Sequence, residues 1–252
     1  MNNFDNKFSI ILPTFNEAGH IKSLIFEIYE IFLKNSKDFE IIVVDDNSTD
    51  GTIKEIENII KTKEKVKFLL RQNKKGSLVE SLNEGIQSSK YENLIWMDAD
   101  FSHPPSYLKK IIFEKEKNDY DVIVFSRFLK LSERYYDKEK SKPVFIDYLS
   151  IFLNKICSSM LFKNFTDYTS GYICIKKDIF KNYRLRGYYG DYFINLIVLC
   201  FLLKKNIIEF PYTEERRFSG FSKTTFSKIG FIKKCYFYFV ALVRNKFKIM
   251  LK

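Results

Sequence analysis

The 252 residues (30.1 kDa) suit one large domain or two small ones, and a content of 46% hydrophobic and 29% charged residues excludes wholesale disorder. The net charge is +11, and its placement is uneven: from Arg216 to Lys252 there are ten Lys or Arg and no acid, so this end expects an anionic neighbour. The longest uncharged stretches, Tyr192–Leu203 and Cys235–Val243, fall short of the roughly 18–20 residues that cross a bilayer as one helix, which excludes a spanning helix.

The elements follow in chain order. Phe8–Pro13 reads as a buried strand ended by proline, Ala18–Leu33 as a helix with Ile21, Leu24, Ile25, Ile28 and Phe32 on one face, and Glu40–Asp45 as the next strand. The period repeats with helix Thr52–Lys63, strand Val66–Arg71, helix Ser77–Ser88 and strand Asn93–Met97, which runs into Asp98-Ala99-Asp100. Pro104-Pro105 opens another helix, and Asp121–Ser126 is a fifth strand. The charged, aperiodic stretch Lys130–Lys142 reads as a mobile loop. Beyond it come helix Ile146–Phe162, strand Gly171–Lys176, helix Tyr189–Lys204 and strand Ile207–Tyr212.

The last element, Phe231–Lys252, reads as a helix about 33 Å long at 1.5 Å per residue, with Ile232, Cys235, Phe239, Val243, Phe247 and Met250 on one side and Lys234, Arg244, Lys248 and Lys252 on another. Alternating strands and helices imply an α/β domain with a parallel sheet and crossover helices. The expected division is residues 1–225 as that domain and 226–252 as a basic amphipathic helix.

Several chemistries are absent from the sequence. Its nine glycines include no Gly-x-Gly and none followed by Lys-Ser/Thr, so neither a dinucleotide fingerprint nor a Walker loop is present. Two histidines, His20 and His103, leave little room for a His-rich metal centre, and no Ser-His-Asp arrangement suggests a hydrolase. Cys157, Cys174, Cys200 and Cys235 are far apart and fit reduced core cysteines. The opening Met-Asn-Asn-Phe-Asp shows no basic stretch followed by an apolar run, so the expectation is no secretory signal and a cytoplasmic protein.

Acids gather instead just past the carboxyl ends of the strands: Glu17 after the first, Asp45 and Asp46 at the second, Asp98 and Asp100 at the fourth. In an open parallel sheet ligands bind at that edge. A turn leaving a strand can aim both carboxylates of Asp98-Ala99-Asp100 at one hard cation, with Ser102 or His103 supporting them. Asp50 and Thr52 would also cap the following helix, which does not account for the adjacent Asp45-Asp46 pair.

Ile11–Glu17, Val44–Thr52 and Asp98-Ala-Asp-Phe-Ser-His-Pro-Pro105, taken in order, resemble glycosyltransferase family 2 with the GT-A fold. The further matches Ser126-Arg127, Thr169–Tyr172 and Arg217-Phe-Ser-Gly220-Phe-Ser-Lys223 are similar to the dolichol-phosphate (polyprenyl-phosphate) mannosyltransferase branch, so the resemblance covers roughly residues 7–225. It implies a Rossmann-like, mostly parallel sheet with flanking helices. Pro13, Phe15 and Glu17 would frame the base and ribose, and Asp46 or Asp45 would contact the base. Ala99 would line the substrate site between Asp98 and Asp100, and these two carboxylates would face the nucleotide, Asp100 as the preferred ligand of Mg²⁺ or Mn²⁺.

Arg127, Arg217 and Lys223 would gather around phosphate oxygens, and only Asp191 stands where related enzymes often place an acid, as the candidate catalytic base. The expected reaction moves a hexose, with inversion, from a nucleoside diphosphate sugar to a polyprenyl phosphate at the cytosolic face of a membrane. The expected partners are donor, acceptor and a membrane surface or integral membrane subunit, with no nucleic acid. The rival readings are a family 2 enzyme using a sugar hydroxyl as acceptor, for which Asp167 or Asp191 would matter as base, and a sugar-nucleotide-binding protein without turnover.

Overall fold

The computed structural model describes residues 7–72, 75–129, 145–215 and 228–251. The Lys130–Lys142 stretch and Arg217, Gly220 and Lys223 lie outside the described residues. In chain order the elements are β1 (Lys7–Thr14), α1 (Ile21–Lys34), β2 (Asp38–Asp45), α2 (Thr52–Ile60), β3 (Val66–Leu70), α3 (Leu78–Ser88), β4 (Asn93–Trp96), α4 (Leu108–Lys117), β5 (Val122–Ser126), α5 (Phe145–Met160), β6 (Ile173–Lys176), α6 (Asp191–Leu202), β7 (Ile207–Pro211) and α7 (Lys228–Met250).

The strands form one seven-stranded sheet in the order β3-β2-β1-β4-β6-β5-β7. All pairings are parallel except those of β6, which runs antiparallel to both β4 and β5. Strand alternation divides the core between the two faces of the sheet. Ile10, Leu12, Ile41, Val43 and Ile95 pack on the side of α1, α2 and α4. Ile11, Ile42, Val44, Leu94 and Trp96 pack on the side of α3, α6 and α7. Both faces are covered, which is why the strands read as unbroken apolar runs.

Helix α3 lies close on β1 because Gly85 has no side chain: a Cβ there would stand 2.4 Å from Ile11 Cγ2. Its first turn is fixed by Ser77, whose hydroxyl accepts the Glu80 N–H at 3.3 Å. Pro105 opens not an α-helix but a short 3₁₀ turn, Pro105–Tyr107, that leads into α4.

Helix α7 departs from the expectation in which face it buries. Tyr238, Ala241, Leu242 and Asn245 face inward against the domain, whereas Phe239, Phe247 and Met250 on the expected apolar face are exposed. The reason is a polar latch: Asn195 Oδ1 on α6 accepts from Asn245 Nδ2 at 2.7 Å and from Arg244 Nη2 at 2.8 Å, while Asn195 Nδ2 donates to the Arg186 carbonyl at 2.8 Å. Cys157, Cys174 and Cys200 are buried and reduced as expected, but Cys235 lies exposed on α7.

Candidate active site

A cleft of about 520 Å³ opens where β1, β2 and β4 end, bounded on its far side by the turn ahead of β6, the start of α6 and α7. It brings together Pro13, Phe15, Glu17, Asp46, Asp98 and Asp100, with Ala99 between the last two. Asp45, Arg127 and Asp191 are not among its walls.

The loops after β1 and β2 are sewn to each other. The Asn16 N–H donates to Ser48 Oγ at 2.8 Å, the Thr49 N–H to Asn16 Oδ1 at 2.8 Å, the Glu17 N–H to Thr52 Oγ1 at 2.8 Å and the Ala18 N–H to Asp50 Oδ2 at 3.1 Å. Asp45 is fully buried and accepts from Ser48 N–H (2.7 Å) and Ser48 Oγ (2.5 Å), so it holds the loop, and burial raises its carboxyl above the usual aspartate range. Asp46 accepts from the Arg71 guanidinium and from the Ser77 N–H, which ties β2 to β3 and to the start of α3. Arg71 stands at the carboxyl end of a predicted strand beside an acid pair, a signal the sequence did carry. Gly51 holds the cap position of α2, and Asp50 just before it fastens the first helical residue, accepting from Thr52 N–H at 3.1 Å and Oγ1 at 2.6 Å.

Asp100 is not the exposed strand-end carboxylate that its loop position suggests: it is 4% exposed, and its Oδ1 accepts from Ser102 N–H at 3.0 Å and Ser102 Oγ at 2.6 Å. Phe101 between them takes φ 64°, a conformation costly for an aromatic residue. Asn16 (φ 53°) and Asn47 (φ 65°) take the same region beside Glu17 and Asp46, so positive φ gathers along this edge of the cleft. His103 Nδ1 accepts the Asp98 N–H at 2.9 Å and its ring stacks on Tyr172 at 4.9 Å. The histidine therefore holds the backbone of the Asp98–Asp100 turn.

The structure gives Arg127 a different neighbour from a substrate phosphate. Its Nε donates to Asp167 Oδ2 at 2.8 Å, its Nη2 to Asp167 Oδ1 at 2.9 Å and to Thr169 Oγ1 at 2.8 Å, and Glu214 lies 3.5 Å from Nη1. Burial alone would raise the Asp167 carboxyl, but the guanidinium outweighs it and holds the group below its ordinary range. This pair underpins the Thr169-Ser170-Gly171 turn, where Gly171 takes φ 73° ahead of β6. Asp191 accepts the Tyr188 and Tyr189 N–H groups on one oxygen at 3.0 and 2.7 Å, fastening the turn that enters α6.

Glu209 on β7, which no sequence pattern marks, accepts from Thr166 N–H, Thr166 Oγ1 and Asp167 N–H at 2.8–3.0 Å. Burial nevertheless pushes its carboxyl up to about 7. A native value above the unfolded one means the proton stabilises the fold fully below about pH 4.5, and that stability is lost as pH rises through about 7. Glu209→Gln should remove about 1–3 kcal/mol of the decline in unfolding free energy across that window, read from urea melts at a series of pH values. An unchanged pH slope would mean that Glu209 stays ionised in the fold.

The family model described as Glycosyl transferase family 2 matches residues 9–184. Dolichol-phosphate mannosyltransferase of Pyrococcus furiosus is 28% identical over 225 residues, 86% of this chain and 59% of that protein. The protein of the same name from Saccharomyces cerevisiae is 32% identical over 106 residues, 42% of this chain and 39% of its own length. The chain thus spans less than two thirds of the length of these relatives. Among solved structures, glucosyl-3-phosphoglycerate synthase from Mycobacterium tuberculosis in complex with uridine diphosphate superposes with a TM-score of 0.69 at 14% identity, covering 95% of this chain and 80% of that one. The same enzyme with Mg²⁺ and uridine diphosphate gives a TM-score of 0.63 at 14% identity, covering 95% of this chain and 79% of that one. At that identity the likeness is one of fold.

Proposed function

Because the chain belongs to glycosyl transferase family 2 and has a GT-A fold, we propose that it moves a hexose, with inversion, from a nucleoside diphosphate sugar to a polyprenyl phosphate, working with a divalent metal at the cytosolic face of a membrane. The observation that carries this reading is the cleft itself, which sets Asp46, Asp98 and Asp100 along one carboxyl edge of the sheet. The likeness to two dolichol-phosphate mannosyltransferases supports the choice of acceptor.

The donor set suits the proposed metal. Asp98 and Asp100 offer hard oxygen ligands two residues apart in the wall of one cleft, where diphosphate oxygens and water would complete the coordination of a hard cation. Mg²⁺ or Mn²⁺ bound there would neutralise the charge that builds on the departing nucleoside diphosphate. Ser102 fixes the Asp100 carboxylate and His103 the backbone beneath Asp98, so the pair is oriented before substrate arrives. Phe15, 41% exposed after the neighbouring strand β1, offers a flat apolar surface to a base. Arg217 and Lys223 retain their proposed place around phosphate.

The acids speak for the acceptor. A sugar hydroxyl needs a general base, whereas a phosphomonoester with a second pKa near about 6 is already ionised at neutral pH. Asp167 is committed to Arg127, and Asp191 to two backbone N–H groups. Both acids thus have structural employment, which favours the phosphate over the hydroxyl.

The membrane surface is the proposed neighbour of the outer face of α7, where Tyr236, Phe239, Phe247 and Met250 are exposed, with Lys233 exposed on the same helix. No helix among the described residues is long and apolar enough to cross a bilayer. The proposed division at residues 225 and 226 separates a catalytic unit from this helix in role, while the inner face of α7 packs into the catalytic unit.

The full chain, Mg²⁺ and a panel of labelled nucleoside diphosphate sugars, with polyprenyl phosphate embedded in anionic vesicles, should place label in the organic phase for one donor. Label that appears only on a soluble sugar would favour the hydroxyl acceptor. No label with any donor would favour binding without turnover.

A further inference from the structure

Helix α7 does more than cover α6. Its inner face is the row Lys234, Tyr238, Ala241 and Asn245, spaced three or four residues apart, with Leu242 beside it. The lower part of this row is buried against α6, where Asn245 meets Asn195 at 2.7 Å. The upper part overshoots the start of α6 and forms cleft wall at Lys234 and Tyr238. The approach is tight: a Cβ on Gly190 would stand 2.2 Å from Tyr238 Oη, and Phe237 packs on the Tyr188 ring at 4.2 Å. Lys234, one turn before Tyr238, is half-buried at this wall, and among the described residues it is the only lysine or arginine lining the cleft.

Its position along the cleft can be read from the sheet. Asp46 follows β2, Phe15 follows β1, Asp98 and Asp100 follow β4, and the Ser170-Gly171 turn precedes β6, in the spatial order β2-β1-β4-β6. Tyr238 touches Gly190, which belongs to the same far wall as Gly171. The lysine, one turn before Tyr238 on the same helix face, therefore lines the cleft next to this wall.

We propose that Lys234 is a binding residue for the phosphate of the acceptor, carried into the cleft by the helix whose outer face exposes Phe239 and Phe247. This rests on the polyprenyl-phosphate reading above. An ammonium at this wall, in the same cleft as the two carboxylates, would attract an acceptor phosphate into it. The Asn195–Asn245 latch and the Gly190–Tyr238 contact hold it there.

The test uses the full chain loaded with Mg²⁺ and either uridine or guanosine diphosphate, titrated calorimetrically with farnesyl phosphate and, separately, with farnesol. Lys234→Ala should weaken farnesyl phosphate about 10- to 100-fold, the scale of one charge-assisted contact, and Lys234→Arg should restore most of it. Farnesol affinity, and nucleotide affinity measured without acceptor, should stay within about twofold. A loss shared by farnesol would mean that the lysine only shapes the wall, and a loss confined to the nucleotide would assign it to the donor; either overturns the proposal. Unchanged farnesyl phosphate affinity in a variant of an enzyme that labels polyprenyl phosphate overturns the lysine and leaves the reaction standing. A wild-type protein that binds no farnesyl phosphate and labels nothing overturns both.

Discussion

Asp100→Asn should reduce turnover by at least about 100-fold, the scale of losing one preorganised electrostatic contact to a developing charge, while melting within a few degrees of the wild type. The amide keeps an oxygen to accept Ser102 N–H and Oγ, now bonded at 3.0 and 2.6 Å, while it removes the negative charge and replaces the other oxygen with an NH2 group. Alanine is the poorer probe. In a turn where Asp100 is 4% exposed, it leaves the Ser102 donors without an acceptor at a cost of about 1–3 kcal/mol, mixing a folding defect with a chemical one. Single-turnover rates at saturating Mg²⁺, paired with thermal melts, separate the two effects. Wild-type turnover in the asparagine variant would remove Asp100 from the proposed metal site.

The second large effect is expected in stability. Arg127→Met leaves the Asp167 carboxylate buried without its bidentate partner, a loss of about 3–5 kcal/mol, and Asp167→Leu should cost a similar amount by stranding the guanidinium. The double variant should be markedly more stable than the sum of the two losses predicts, because neither charge remains to be stranded. Asp167 titrates below its ordinary value, so the stability it supplies is present at neutral pH and disappears as the pH falls through the acid range. Urea melts of the two single variants and the double variant read the coupling. If Arg127→Met instead melts normally and raises the KM for acceptor, the arginine serves substrate phosphate, as the sequence resemblance implies.

The elements were readable because a doubly covered sheet writes itself as apolar runs: Ile41–Val44 and Ile10–Leu12 supply both cores at once. The acids of the cleft were readable for a related reason, since a carboxylate directly after such a run must sit at the strand's end. Which acids face substrate was not readable. Asp45 and Asp46 are neighbours in sequence, yet one is buried under Ser48 while the other lines the cleft, a difference set by the side to which each points as β2 ends. The ion pair of Arg127 was not readable for another reason: its partner Asp167 lies forty residues away, beyond the reach of local spacing. Helix α7 hid its inner face because Asn245 and Tyr238 are not apolar by type, and only the latch to Asn195 shows why they turn inward.

The antiparallel strand β6 also bears on how the site comes into existence. β1 pairs with β4, aligning Ile10 with Ile95, and β4 pairs with β6, aligning Leu94 with Ile175, so neighbours in the middle of the sheet are separated by some eighty residues of chain. Contacts of that span close late and slowly, because a long loop must be ordered before the pairing rewards it. The β3-β2-β1 half can assemble while the chain is still emerging from the ribosome, already sewing Asn16 to Ser48. The wall formed by Gly171, Gly190 and Tyr238 must wait until α7 has been made. A nascent chain can therefore fold the loops after β1 and β2 before the rest of the cleft exists, and the cleft is complete only once α7 has been made.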